Sequence, residues 1–217
     1  MELFKKYFQA DQSVDGLYEA ASKGDSAALA QLRALGNRGD DLVQFILGTM
    51  YETGDGFPQD SVQAVFWYRK SADQGHAGAQ ASLGLMYANG IGVPQDSVQA
   101  VFWYRKSAEQ GDALGQSNLG LMYAAGIGVP KDSVQAVSWY RKSAEQGYAS
   151  AQSNLGRMYG NGDGVPIDWA MAYMWQNLAA AQGNENAKKK REILENVLTP
   201  AQIAEGQRLS REWRPKP

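Results

Sequence analysis

Four glycine pairs, Gly54/Gly56, Gly90/Gly92, Gly126/Gly128 and Gly162/Gly164, each precede a helix-forming stretch, where a glycine-rich loop could present backbone amides to a phosphate. A dinucleotide-type loop needs a strand before it and a P-loop needs Gly-Lys-Ser/Thr. Neither accompanies these pairs, so they read as tight turns. The run Asn161-Gly162-Asp163-Gly164 ending at Asp168, and Asp55-Gly56 with Asp60, place oxygens as a calcium loop might. Both lack its spacing and closing Glu, and turn residues with a helix cap explain them better. His76 is the single histidine and cysteine is absent, which removes multi-histidine and thiolate metal sites, cysteine nucleophiles and disulfides. A recurring series of Trp and Tyr could be a stacking platform for sugars or bases, but its spacing shared with Ala and Leu points to a core. The basic run at residues 188–191 reads as a solvated helix face, with an acidic partner as the second reading. No nucleophile, base and orienter stand at credible spacing. The chain is therefore expected to be no enzyme and to hold no cofactor and no metal.

Composition narrows the partners. With 21 Lys and Arg against 23 Asp and Glu, the formal charge is −2, which gives no electrostatic case for nucleic acid or an anionic membrane. No apolar run approaches the roughly 18–20 residues of a membrane span, so membrane insertion is not expected. Residues 1–14 carry Lys5 and Lys6 but lead into Asp15 and Glu19 rather than an apolar signal core. As the chain stands, a cytoplasmic place is expected, or a periplasmic one if a signal has been removed from its start.

The elements that would position any site are set by repetition. Trp67, Trp103, Trp139 and Trp175 recur in steps of 36 residues, as do Tyr51, Tyr87, Tyr123 and Tyr159 and the prolines Pro58, Pro94, Pro130 and Pro166. Such a period implies a solenoid of stacked units, each too small to bury its own apolar face. The blocks are 44–79, 80–115, 116–151 and 152–187, each made of a helix A and a helix B. Residues 76–89 place Ala79, Leu83, Met86 and Tyr87 on one stripe, and Gly90 closes that helix. Helix B starts at Asp96, whose carboxylate can cap the first turn while Gln99 answers as a capping box, a device repeated at Asp60/Gln63 and Asp132/Gln135. Ala100, Trp103, Tyr104, Ser107 and Ala108 share its buried face. Arg105/Glu109, Arg69/Asp73 and Arg141/Glu145 are spaced as ion pairs on the outer side. Residues 1–43 hold degenerate N-terminal capping helices. Residues 188–217 hold C-terminal ones, the last running from Thr199-Pro200 toward Trp213 before a tail that frays at Pro215 and Pro217.

A position identical in every block serves the stack, whereas a changing exposed position is free to serve a ligand. The helix A face opposite Leu83 and Tyr87 carries Ser82, Leu85 and Asn89. Its counterparts are Ile46, Thr49 and Thr53; Asn118, Leu121 and Ala125; and Asn154, Arg157 and Asn161. This stripe is the candidate partner-binding surface, with Asn118 and Asn154 suited to a backbone and Arg157 to a carboxylate. Phe66 and Phe102 on helix B either pack between successive B helices or form a patch for self-association of an otherwise monomeric chain.

The run Ala-x-x-x-Leu-Gly-x-x-Tyr-x-x-Gly-x-Gly-Val-Pro-x-Asp, followed by Ala-x-x-Trp-Tyr and a closing Ala-x-x-Gly, resembles the Sel-one-like repeat of the tetratricopeptide superfamily, most closely over residues 79–111. The resemblance implies an all-α, right-handed α-solenoid of antiparallel helix pairs whose first helices line a concave surface. It also implies a bacterial adaptor or scaffold that binds a protein or peptide, an immunity or inhibitor protein being one form. Some exported relatives carry a cysteine pair in each repeat, which this chain lacks. Others are associated with β-lactams, but here no Ser is followed three residues on by Lys. The alternative is a cell-envelope binder of carbohydrate or peptidoglycan fragments with at most weak hydrolase activity.

Overall fold

The computed structural model describes residues 12–216. Lys5, Lys6 and the rest of the chain start, with Pro217, lie outside the described residues. Among those residues there are twelve helices and no strand. They are α1 (Gln12–Ser22), α2 (Ser26–Asn37), α3 (Asp41–Thr53), α4 (Ser61–Asp73), α5 (Ala77–Asn89), α6 (Ser97–Glu109), α7 (Ala113–Ala125), α8 (Ser133–Glu145), α9 (Ala149–Asn161), α10 (Trp169–Ala181), α11 (Glu185–Val197) and α12 (Pro200–Glu212). Helices A are α3, α5, α7 and α9, and helices B are α4, α6, α8 and α10. Two compact units result, one ending at Ser107 and the other beginning at Ala108.

Each helix limit has a local cause. Helices A end on a left-handed glycine, Gly54, Gly90, Gly126 or Gly162, whose amide or the next one donates to the methionine carbonyl four or five residues back. The first one or two amides of each turn are thereby committed to closing a helix. The second glycine is held by its neighbours at Gly56, Gly92 and Gly164: a Cβ on Gly164 would lie 2.3 Å from the Ser133 carbonyl oxygen, at a φ of +71°. Helices B begin at Asp60, Asp96, Asp132 and Asp168, whose carboxylates accept first-turn amides. The expected capping box does not close there, because the cap's own amide already donates to a helix A carbonyl, Asp60 to Tyr51 and Asp132 to Tyr123, each at 2.9 Å. A closed box occurs instead in α12, between Thr199 and Gln202.

In the first unit, α3 is surrounded by α1, α2 and α4. Ile46, Leu47, Met50, Leu83 and Met86 are fully buried, and Trp67 and Trp103 nearly so. In the second unit, α7 packs on α8, α8 on α9 and α9 on α10, and α10 is closed by α11 and α12. Trp175 is buried there, whereas Trp139 is half-exposed. A second aromatic series, Tyr68, Tyr104 and Tyr140, is buried against Gly48, Gly84 and Gly120 of the first three Leu-Gly steps, with Gln176 in that place at Gly156. A Cβ on Gly48 would meet the Tyr68 ring at 2.5 Å, and one on Gly84 the Tyr104 ring at 2.7 Å.

A polar seam accompanies this core. Gln44, Gln116 and Gln152 are buried, and their amides donate to carbonyls of the preceding block, Gln44 to Gly36 at 2.8 Å and Gln152 to Ala144 at 3.3 Å. Their oxygens accept from Gln74, Gln146 and Gln182, each thirty residues on. The hydroxyls of Ser71 and Ser143 likewise reach back to the carbonyls of Asp41 and Ala113. The Nε2 groups of Gln44, Gln116 and Gln152 donate across a block boundary while their oxygens are satisfied within the block, which makes the seam a register device as well as a polar core.

Three outer-face expectations change. Arg69 and Arg141 donate to the hydroxyls of Tyr87 and Tyr159 rather than to the acid four residues on. Glu145 pairs instead with Lys216 at 3.0 Å. Phe66 and Phe102 do not pack between B helices: each is 46% exposed, set edge-on to the adjacent Trp and covered by Lys70 or Lys106. Nor does the tail fray as far as Lys216. Trp213 stands edge-on to Trp175 at 6.2 Å, and the Lys216 amide donates to the Glu145 carbonyl at 2.7 Å.

Candidate functional site

The proposed stripe separates into residues that a partner could touch and residues that it could not. Ile46 is fully buried on α3, which packs against α1, α2 and α4, and it is withdrawn as a binding residue. Thr49 is half-buried, accepting from the Tyr68 hydroxyl at 3.2 Å and donating to the Phe45 carbonyl. Thr53 is exposed and bonds Asp55. Ser82 is half-buried, and Leu85 and Asn89 are exposed, with the Asn89 amide donating back to the Leu85 carbonyl at 3.1 Å. In the second unit Leu121 is 47% exposed and Ala125 is exposed. Asn118 is half-buried with its Nδ2 wholly inside, so paired amide bonding to a partner is closed to it in this arrangement. Asn154 and Arg157 are half-buried and Asn161 is exposed.

Arg157 and Asn161 share a cleft of about 230 Å³ between α9, α10 and α11. From α9 come also Gly156 and Gly160, from α10 Trp169 and Gln176, and from α11 Lys190, Ile193 and Leu194. The Gln176 side chain is committed, donating to the Ser153 carbonyl at 2.8 Å and accepting from its hydroxyl at 3.1 Å. Lys190 Nζ reaches the same hydroxyl at 3.5 Å, a long contact. Burial, and then the nearby Arg157 charge, hold the Lys190 ammonium below the usual lysine range. Arg157 meets Asp163 at 3.8 Å, and Asp163 also accepts from Asn161 at 3.1 Å. Asp168 caps α10 through the Met171 amide. The oxygens considered for calcium thus face a guanidinium, an amide and a helix start. Beside Arg157, burial pushes the Tyr140 hydroxyl up to about 12, with the Arg157 charge pulling the other way.

The basic run is not one solvated face. Lys188 and Lys189 are exposed, but Lys190 turns into the cleft and Arg191 donates to Asn177 at 3.2 Å and pairs with Glu195. Lys190 lies one period after Asn154, and that register is the signal that could have placed it on the candidate stripe. His76 is a helix cap: its Nδ1 accepts from the Ala79 amide at 3.1 Å and its ring stacks on Phe45. Asp40, Asp112 and Asn184 do the same work at the equivalent positions.

Four consecutive segments, residues 42–76, 77–112, 113–148 and 149–184, match the model of the Sel1 repeat. Among solved structures, the chain is similar to a Sel1 repeat protein of Oxalobacter formigenes. The identity is 31%, covering 94% of this chain and 86% of that one, with a TM-score of 0.77. It is also similar to a protective antigen of uropathogenic Escherichia coli with a Sel1-like repeat fold, at 45% identity over 73% of this chain and a TM-score of 0.70. The chain spans 34% of that protein's length. An immunity protein of Pseudomonas aeruginosa shares the fold at 21% identity, covering 94% of this chain and 80% of its own, with a TM-score of 0.57. No curated protein sequence matches the chain. With four matched repeats over more than half its length and helix pairs packed as the repeat requires, the chain belongs to the Sel1 repeat family.

Proposed function

We propose that this Sel1 repeat protein is a non-catalytic scaffold that binds a protein or peptide partner on the helix A stripe of its second unit, through Leu121, Asn154, Arg157 and Asn161. One observation carries the reading. The leucine, methionine and glutamine positions that recur in every block are buried in stacking or in the polar seam and the recurring glycines and prolines build the turns, whereas this stripe changes from block to block and remains open at Leu121 and Asn161. Ser82, Leu85, Asn89 and Thr53 offer a similar face in the first unit. Occlusion of a toxin or an enzyme is one form such binding could take; the likeness to an immunity protein supports the fold alone.

A photo-crosslinking amino acid placed at Leu121 or Asn154, in cells that make the protein, should trap one and the same partner. The same probe at Lys142 on α8 should trap none. Adducts from Lys142 with none from the two A-helix positions would place recognition on the other face.

A further inference from the structure

We propose that the cleft between α9, α10 and α11 seats one carboxylate of an acidic side chain from the protein partner. Arg157 and Lys190 hold the carboxylate, and Trp169 and Ile193 take the partner's adjoining apolar residue. The inference deepens the reading above and rests on it. Its basis is a convergence of departures from the repeated sequence. Arg157 stands where the other blocks have Thr49, Leu85 and Leu121, Gly160 where two of them have Ala88 and Ala124, and Trp169 where all three have serine. Lys190 follows Asn154 by one period. These four changes, spread over more than thirty residues of sequence, line a single cleft.

Charge identifies the occupant. Two cations share a partly buried space, and what they meet is incomplete: Asp163 at 3.8 Å from the guanidinium, with the Tyr140 hydroxyl beside it, and a serine hydroxyl at 3.5 Å from the ammonium. Neither distance is that of a charge-assisted hydrogen bond, so a carboxylate arriving between them would gain both and relieve their repulsion. Trp169 and Ile193 are 37% and 62% exposed on the same rim. A cleft of about 230 Å³ suits one or two side chains and not a folded element.

A display library of random peptides selected on the intact protein tests this. Enriched peptides should carry Glu or Asp beside an apolar residue. Their binding should fall about tenfold or more with Arg157→Gln or Lys190→Gln. Gly160→Leu, which fills the cleft and leaves both cations, should abolish it, and Asp163→Asn should tighten it. Unchanged helical circular dichroism and melting show that each variant folds. Enriched peptides without an acid, or acidic ones indifferent to all three cleft variants, overturn the cleft. If such peptides still lose affinity with Leu121→Asp or Asn154→Ala, the wider stripe survives. If no peptide is enriched, the cleft assignment fails, while crosslinking from Leu121 decides the stripe independently.

Discussion

Helical glycines in this chain give the same substitution opposite signs. At Gly84 a methyl group would lie 2.7 Å from the buried Tyr104 ring, which cannot retreat. Gly84→Ala should therefore cost about 1–3 kcal/mol, seen as a lower melting temperature. At Gly160 the nearest atoms to an added methyl are 3.7 Å away. Gly160→Ala should stabilise by up to about 1 kcal/mol through helix propensity. Lys190 carries a cost of another kind. Its folded-state pKa is lowered, first by burial and then by the Arg157 charge, so the folded state binds its proton less readily than the unfolded chain does. That penalty is complete below the folded pKa, lessens as pH rises through it, and is gone above the ordinary lysine value. Lys190→Met should accordingly raise the melting temperature at neutral pH, with the gain fading in alkaline buffer. A gain independent of pH would assign the effect to packing instead of charge.

At the scale of the helix, the caps separate into two designs that a mutant series can tell apart. Asp132→Ala should cost about 1 kcal/mol, because the Gln135 amide loses its acceptor. Gln135→Ala should change stability by less than about 0.5 kcal/mol, since the Tyr123 carbonyl already takes the Asp132 amide. Gln202→Ala in α12 should cost more than Gln135→Ala, because there the reciprocal bond exists, Gln202 Oε1 accepting the Thr199 amide at 2.9 Å. Equal effects at the two glutamines would remove this distinction. Helix limits, the Trp series and the Leu-Gly stripe were legible in the sequence because a repeat writes its caps and core faces several times. Gln44 and Gln152 recur with the same step, so the seam was readable too, had a polar residue been allowed into the core. Ile46 escaped because α3 also packs on α1 and α2, which the repeat frame does not describe. Arg157 was visible as a departure within its block. Lys190 was legible only by carrying the repeat register one step past the last block, from Asn154, because its own run of charges resembles a solvated helix face.

At the scale of the whole molecule, the two units end differently. The first is closed by α1 and α2, with Arg33 donating to the Tyr51 hydroxyl at 2.8 Å as Arg141 does to Tyr159. The second is closed by α12 and by Trp213 against Trp175. Trp213→Ala should thus cost about 2–3 kcal/mol, less than the roughly 3–5 kcal/mol expected for the more deeply buried Trp103, but far from the neutral outcome of a frayed end. Thermal denaturation of the two variants checks it, and an unchanged melting temperature for Trp213→Ala would mean that the tail contributes nothing. The glutamine seam has a consequence for ancestry. The glutamine amides and serine hydroxyls of successive blocks donate to carbonyls of the block before, through the same atoms at the same positions. Residues 60–72 and 96–108 are also identical. A gene duplicating or losing one such block by unequal crossing-over would leave every seam intact, so that lineages could lengthen or shorten the array in single genetic steps, with the closing helices and their cleft carried along unchanged.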